Sequence, residues 1–179
     1  IGRRNTELET KAGIIQSQLK GNSVKIKLTN PANIKLDIPL KVNKRNLKAN
    51  FIDIGVPHAV IFVDGLDEIR VSQIGRAIRN HKKFAPRGTN VDFVEVLGKD
   101  LVGIRTYERG VEDETLACGT GSVASSLIFA LKTGTGNKIN VRTKSQEILR
   151  VYFDRTNNKF TDVWLEGKAK IVYKGEYYV

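Results

Sequence analysis

The chain has 179 residues, 40% of them hydrophobic and 27% charged, with one cysteine, no methionine and a formal net charge of +11. This is ordinary globular composition, enough for one large domain or two small ones. Its apolar runs, such as residues 59–63, fall far short of the roughly 20 residues of a membrane span, and the basic Ile1-Gly2-Arg3-Arg4 leads into polar residues rather than a signal-peptide core. A single cysteine excludes an intrachain disulfide framework and fits a reducing, cytoplasmic setting. With an isoleucine first and no methionine anywhere, a further segment is expected to precede these residues.

The charge is uneven: residues 1–50 carry 11 Lys/Arg against 3 Asp/Glu, a net of +8, and residues 51–179 carry 19 against 16, a net of +3. Such a basic segment can be a footprint for nucleic acid. It lacks any aromatic residue on which a base would stack. Lys25, Lys27 and Lys35 alternate with Val24, Ile26, Leu28, Ile34 and Leu36, which is the pattern of strands with a solvated face.

Period-2 alternation continues along the chain. Residues 7–15 and 23–29, with the turn signal Lys20-Gly21-Asn22 between them, predict a β-hairpin. Residues 51–54 and 59–63 predict strands on either side of Gly55-Val56-Pro57-His58, a loop, because Pro57 has no N–H for a central ladder. A helix is predicted over 67–81, where Ile69, Ile74, Ala77 and Ile78 recur at helical spacing, although Gly75 inside it costs roughly 1 kcal/mol relative to Ala. Strands follow at 90–97 and 101–107. A second helix runs from Gly119 or Thr120 to Lys132, apolar nearly all round and therefore buried, and ends at Gly134 and Gly136. The remaining strands are 138–143, 147–153, 161–166 and 169–173, and Trp164, Tyr173, Tyr177 and Tyr178 read as strand packing. The pattern implies an α+β fold with strands wrapped around one central buried helix.

Chemistry concentrates just before that helix, in Glu108-Arg109-Gly110-Val111-Glu112-Asp113-Glu114-Thr115-Leu116-Ala117-Cys118-Gly119-Thr120-Gly121. Unpaired N–H groups and the positive end of the helix dipole favour an anion there, lower a thiol pKa, and with glycines let a ligand reach the backbone. Cys118 equally reads as a buried small hydrophobe followed by a helix cap. The neighbouring Arg109, a bidentate partner for carboxylates, favours a site. His58 alone reads as a loop histidine, Asn90 as turn chemistry, and Glu108-Arg109 as a surface ion pair. No spacing of His, Cys and carboxylates points to a metal.

Residues 107–126, ending in Glu114-Thr115-Leu116-Ala117-Cys118-Gly119-Thr120-Gly121-Ser122-Val123-Ala124-Ser125-Ser126, resemble the C-terminal catalytic motif of the diaminopimelate epimerases. Glu9-Thr10-Lys11-Ala12-Gly13, Gly55-Val56-Pro57-His58 and Gly88-Thr89-Asn90-Val91-Asp92-Phe93-Val94 match the same family in the same order, so the likeness covers nearly the whole chain. The resemblance implies a fold of two pseudo-symmetric strand-rich half-barrels, each around a central helix, with the active site between them. It implies a cofactor-independent exchange of LL- and meso-2,6-diaminopimelate in lysine biosynthesis, by two cysteines on opposite faces of the α-carbon. Cys118 matches one of these. Gly119 and Thr120 match positions that bind the α-carboxylate; Asn90, Glu108 and Arg109 match those that hold the distal end; and His58 and Glu108 match those that adjust the thiols. A homodimer is implied, with neither metal nor organic cofactor.

The sequence departs from the family pattern twice. Val56 stands where many members have an asparagine that contacts the distal end of the substrate, and the other cysteine, in a Cys-Gly-Asn motif, is absent from these residues. The expected organisation is therefore a C-terminal catalytic half over 36–167, strands belonging to an N-terminal half over 1–35, and a return strand to that half over 168–179. By itself such a chain is expected to be inactive. Two alternatives stand beside this reading: another isomerase of the proline racemase or phenazine-biosynthesis type, and a basic nucleic-acid-binding module.

Overall fold

The computed structural model describes residues 4–10 and 13–177. Its layout follows from two crossovers. Strand β6 (Pro57–Phe62) is parallel to β7 (Asn90–Gly98) and reaches it through helix α1 (Val71–Arg79). Strand β8 (Leu101–Glu108) is parallel to β10 (Lys138–Arg142) and reaches it through helix α2 (Gly119–Thr133). Both crossovers step the same way along the sheet, but β7 and β8 are antiparallel. With the right-handed crossover that twisted strands impose, the two helices must lie on opposite faces. Two cores result: Val60, Val94 and Ile104 face α2, and their neighbours Ala59, Ile61, Val91, Phe93 and Tyr107 face α1.

The remaining strands extend this centre in both directions. Strands β4 (Ala32–Val42) and β5 (Arg45–Asp53) add antiparallel hairpin partners to β6. Strands β11 (Ile148–Thr156) and β12 (Lys159–Lys168) follow β10, and β12 pairs with β3 (Ser23–Lys27), which carries β2 (Gly13–Lys20) and β1 (Arg4–Thr10). The short β9 (Asp113–Thr115) pairs with β8. The sheet is open and mixed, and it curls as a half-barrel around α2.

Every residue of α2 from 121 to 130 is buried. Val123, Leu127, Ile128 and Phe129 are essentially inaccessible, each stabilising the fold by roughly 1.5–3 kcal/mol before entropy. Two of its three buried serines satisfy their hydroxyls by donating one turn back, Ser122 Oγ to the Cys118 carbonyl and Ser126 Oγ to the Ser122 carbonyl, both at 2.8 Å, while Ser125 Oγ is buried without a hydrogen-bond partner. Gly134, left-handed at φ 72°, closes the helix, and the Arg155 guanidinium donates to its Ala130 carbonyl.

The central predicted elements stand, and four expectations are corrected. Residues 7–15 are not one strand: β1 ends at Thr10 and β2 begins at Gly13, whose φ of +104° suits the reversal, so it is β2 that forms the hairpin with β3. Pro57 and His58 begin β6 rather than lying in a loop, since the first residue of a strand can spare its N–H. The helix predicted from 67 starts at Val71, because Arg105 Nη1 claims the carbonyls of Leu66, Asp67 and Ile69 at 3.0–3.1 Å and holds 66–68 as a separate 3₁₀ turn. No strand forms over 169–173. Strand β3 begins at Ser23, opposite Lys168, so the ladder of β12 runs out, and Ile171, Val172, Tyr173 and Tyr177 are exposed instead of packed. Trp164 does pack, 8% exposed, beneath the ammonium groups of Lys25 and Lys27. Lys27 also pairs with Asp162 at 2.8 Å. Lys11, Ala12 and Tyr178 lie outside the described residues.

Gly75 is required by packing rather than merely tolerated: a Cβ there would overlap Tyr107 Cβ and come within 2.8 Å of its Cγ. Gly75→Ala should therefore lose about 1–3 kcal/mol in thermal or denaturant unfolding despite alanine's better helix propensity. Gly136→Ala, with open space around its added Cβ, should change stability little.

Candidate active site

Cys118 is the N-cap of α2, in extended conformation at φ −126° and ψ 111°, and 6% exposed. Its Sγ accepts the Gly121 N–H at 3.3 Å and lies 3.5 Å from Thr120 Oγ1. The segment that delivers it is anchored on both sides. Glu112 takes Arg79 at 2.9 Å and the Gly110 N–H at 3.2 Å, while Glu114 binds Arg105 through both carboxylate oxygens and Lys144 at 2.8 Å.

The thiol does not titrate in the direction its helix position alone suggests. Burial, reinforced by the Asp92 carboxylate, pushes Cys118 up to about 11; the hydrogen bonds from Thr120 and Gly121 pull it down but do not balance those effects, and the Glu108 charge adds to the rise. The helix end is a partial charge acting on one turn, whereas desolvation disfavours the whole thiolate charge.

Next to the thiol lies a buried polar cluster. His58 and Asp92 are both fully inaccessible, with His58 Nδ1 2.7 Å from Asp92 Oδ2. Thr106 donates to Asp92 Oδ1 at 2.7 Å. Asn90 Nδ2 stands 3.4 Å from His58 Nε2 and donates to the Pro57 carbonyl at 3.3 Å, while Asn90 Oδ1 accepts the Arg109 backbone N–H at 2.7 Å. The cluster abuts α2 at Gly121, where a Cβ would overlap Asp92 Oδ1 and lie 3.1 Å from Thr106 Oγ1.

Sequence reasoning named Cys118, Gly119, Thr120, His58, Asn90, Glu108 and Arg109. The fold gathers the first three at the start of α2 and joins His58, Asn90 and the Arg109 backbone in one hydrogen-bonded chain. It does not pair Glu108 with Arg109, whose Nη1 instead donates to the Arg87 carbonyl at 3.4 Å. Nor does a hydrogen bond join His58 to Cys118; of the two residues expected to adjust the thiol, Glu108 acts through its charge. Val56 packs half-buried against the core around α2. Asp92 and Thr106 were missed. The signal for Asp92 was available: it shares the period-2 face of β7 with Asn90 and Val94, an anion where an apolar side chain belongs. Among the described residues no three His, Cys or carboxylate side chains cluster as a metal site.

The α+β half-barrel is an architecture found in solved structures. The chain superposes on the hydroxyproline epimerase of Agrobacterium vitis with a TM-score of 0.71 at 16% identity, over 93% of this chain and 56% of that one. It superposes on the PhzF-family phenazine biosynthesis protein of Bacillus anthracis with a TM-score of 0.68, also at 16% identity, over 92% and 65%. These likenesses define the fold class. The diaminopimelate epimerase family model matches residues 50–172, and the chain belongs to that family. It is 41% identical over 170 residues to the diaminopimelate epimerase of Aquifex aeolicus (strain VF5), covering 93% of this chain and 60% of the relative. To that of Hydrogenobaculum sp. (strain Y04AAS1) it is 42% identical over 179 residues, covering 98% and 63%. The chain thus spans about 60% of the length of these relatives.

Cys118 rests as a thiol at neutral pH, because a raised pKa keeps the proton on. Its alkylation by iodoacetamide should rise about tenfold per pH unit from pH 7 until near pH 11. Asp92→Asn should move the profile to lower pH. A wild-type rate that levels off by pH 8 would contradict the assignment.

Proposed function

We propose that the chain is the Cys118-bearing half of a cofactor-independent epimerase that interconverts LL- and meso-2,6-diaminopimelate. The observation that carries this reading is the placement of Cys118: its sulfur stands at the first turn of a buried helix, among the free N–H groups and the Thr120 hydroxyl that suit a substrate carboxylate. A proton removed from the α-carbon leaves a carbanion; one thiolate takes that proton and becomes a thiol, and a second thiol on the opposite face delivers its own and becomes a thiolate. Resting as a thiol, Cys118 is the donor for the face it fronts, and the other cysteine is the base in that direction. In the reverse direction the roles exchange. Gly119 and Thr120 hold the α-carboxylate, and Asn90, Glu108 and Arg109 hold the distal amino and carboxylate groups.

The strands β1 to β3 and the segment after Lys168 belong, on this reading, to the half that carries the other cysteine. Supporting it are the apolar side chains they present to solvent: Leu8, Ile14 and Leu19 on the strands, and Ile171, Val172 and Tyr173 beyond β12. The complete enzyme is a cytoplasmic homodimer acting in lysine biosynthesis.

The test uses this polypeptide alone and a protein that also carries the Cys-Gly-Asn half. Alone, the chain should neither epimerise diaminopimelate nor exchange its α-proton with deuterated water. The complete protein should do both, and Cys118→Ala should lower its kcat by about 10²–10⁴ or more. Robust turnover by the chain alone, or a Cys118→Ala protein within tenfold of wild type, would overturn the two-thiol reading. Proline and hydroxyproline assayed alongside distinguish an isomerase of other specificity.

A further inference from the structure

Asp92 is a fully inaccessible residue in the centre of the sheet, and none of the ion pairs of the described residues gives it a lysine or arginine. A buried anion without a cation is held at a cost unless its oxygens are hydrogen-bonded. Both are: Oδ1 by the Thr106 hydroxyl and Oδ2 by His58 Nδ1, each at 2.7 Å.

The donors and acceptors of this cluster permit one assignment. The Arg109 backbone N–H can only donate, so the Asn90 atom 2.7 Å from it is the carbonyl oxygen. Asn90 Nδ2 is then fixed as the other atom of the amide, and its two hydrogens meet the Pro57 carbonyl and His58 Nε2. His58 Nε2 faces a donor and must be bare; Nδ1 faces a carboxylate and must carry the hydrogen. The contact between His58 and Asp92 is therefore a hydrogen bond from a neutral imidazole to a carboxylate rather than an ion pair.

We infer that Asp92 is a positioning residue: it holds His58 as the Nδ1–H tautomer, whose bare Nε2 takes one Asn90 amide hydrogen and keeps the Asn90 carbonyl turned to the Arg109 N–H. Its register allows this directly. Across the parallel pair β6 and β7, His58 lies opposite Asn90 and Val60 opposite Asp92, so the imidazole sits between two successive inward positions of β7. The far end of the chain is the corner after β8, where Gly110 and Glu112 both take positive φ. Thus a carboxylate lodged against Gly121 sets the backbone from which Glu108 and Arg109 project. Its bearing on substrate rests on the proposed function of those two residues; the positioning itself does not.

The test reads the cluster without turnover, so its failure and that of the epimerase reading are separable. In the intact protein labelled with 15N-histidine, the His58 resonances are assigned by their loss in His58→Gln. The wild type should show a protonated Nδ1 and a bare Nε2; a protonated Nε2 overturns the inference with no variant needed. Asp92→Asn keeps an acceptor for Nδ1 and should preserve both the tautomer and the slow hydrogen exchange of the Arg109 amide. Asp92→Ala should shift His58 to the Nε2–H form and speed that exchange about tenfold. An unchanged tautomer in Asp92→Ala, or the same acceleration in both variants, would reduce Asp92 to a packing role.

Discussion

Everything at the site depends on how closely the first turn of α2 approaches β7 and β8. Gly121 has no Cβ, and in the space a methyl group would fill lie Asp92 Oδ1 and Thr106 Oγ1. That contact carries the start of a helix buried from 121 to 130 onto a polar patch of an otherwise apolar sheet face. It also sets the height of Cys118 three residues earlier, whose sulfur reaches back to the same Gly121 N–H. A larger residue at 121 would lift the helix from the sheet or expel the carboxylate, and either change would alter the thiol's surroundings.

The same closeness decides the electrostatics. A helix N-terminus favours a thiolate by a partial charge screened beyond its first turn. Here it competes with burial and with a carboxylate on the neighbouring strand, and the competition leaves a thiol pushed up to about 11. For the proton transfer proposed above this is a workable state: a protonated Cys118 is ready to donate, and once deprotonated it is a strong base. The pairs Arg79–Glu112 and Arg105–Glu114 have a different part, holding the approach to Cys118 against α1 and the 3₁₀ turn.

Much of this protein was legible in the order of its residues. Alternation of period two named most of the central strands, because one face of each must be apolar to cover a core. The nearly uncharged stretch from Gly119 to Thr133 had to be buried, and a lone cysteine ahead of Gly-Thr-Gly had to stand at a helix start. Four motifs in sequence order were enough to indicate the family to which the chain belongs. Pattern failed where a partner strand decides the outcome. Residues 169–173 alternate like a strand but have no ladder beside them, and 7–15 alternate straight through a reversal.

The pairings that make the site could come only from the fold. Which of His58, Asn90, Asp92 and Thr106 touch, and in what donor and acceptor order, depends on strand register across β6, β7 and β8, and a shift of one residue would turn each inward group to the opposite face. The direction in which the thiol titrates likewise follows from solvent exclusion and from charges distant in the chain, neither of which local sequence contains. The sequence by itself determined most of the central elements, the family and the place of Cys118 at a helix end, because these follow from local period and motif. Tertiary structure alone decided the network behind that cysteine, because hydrogen bonds between strands are set by register and depth rather than by neighbours in the chain.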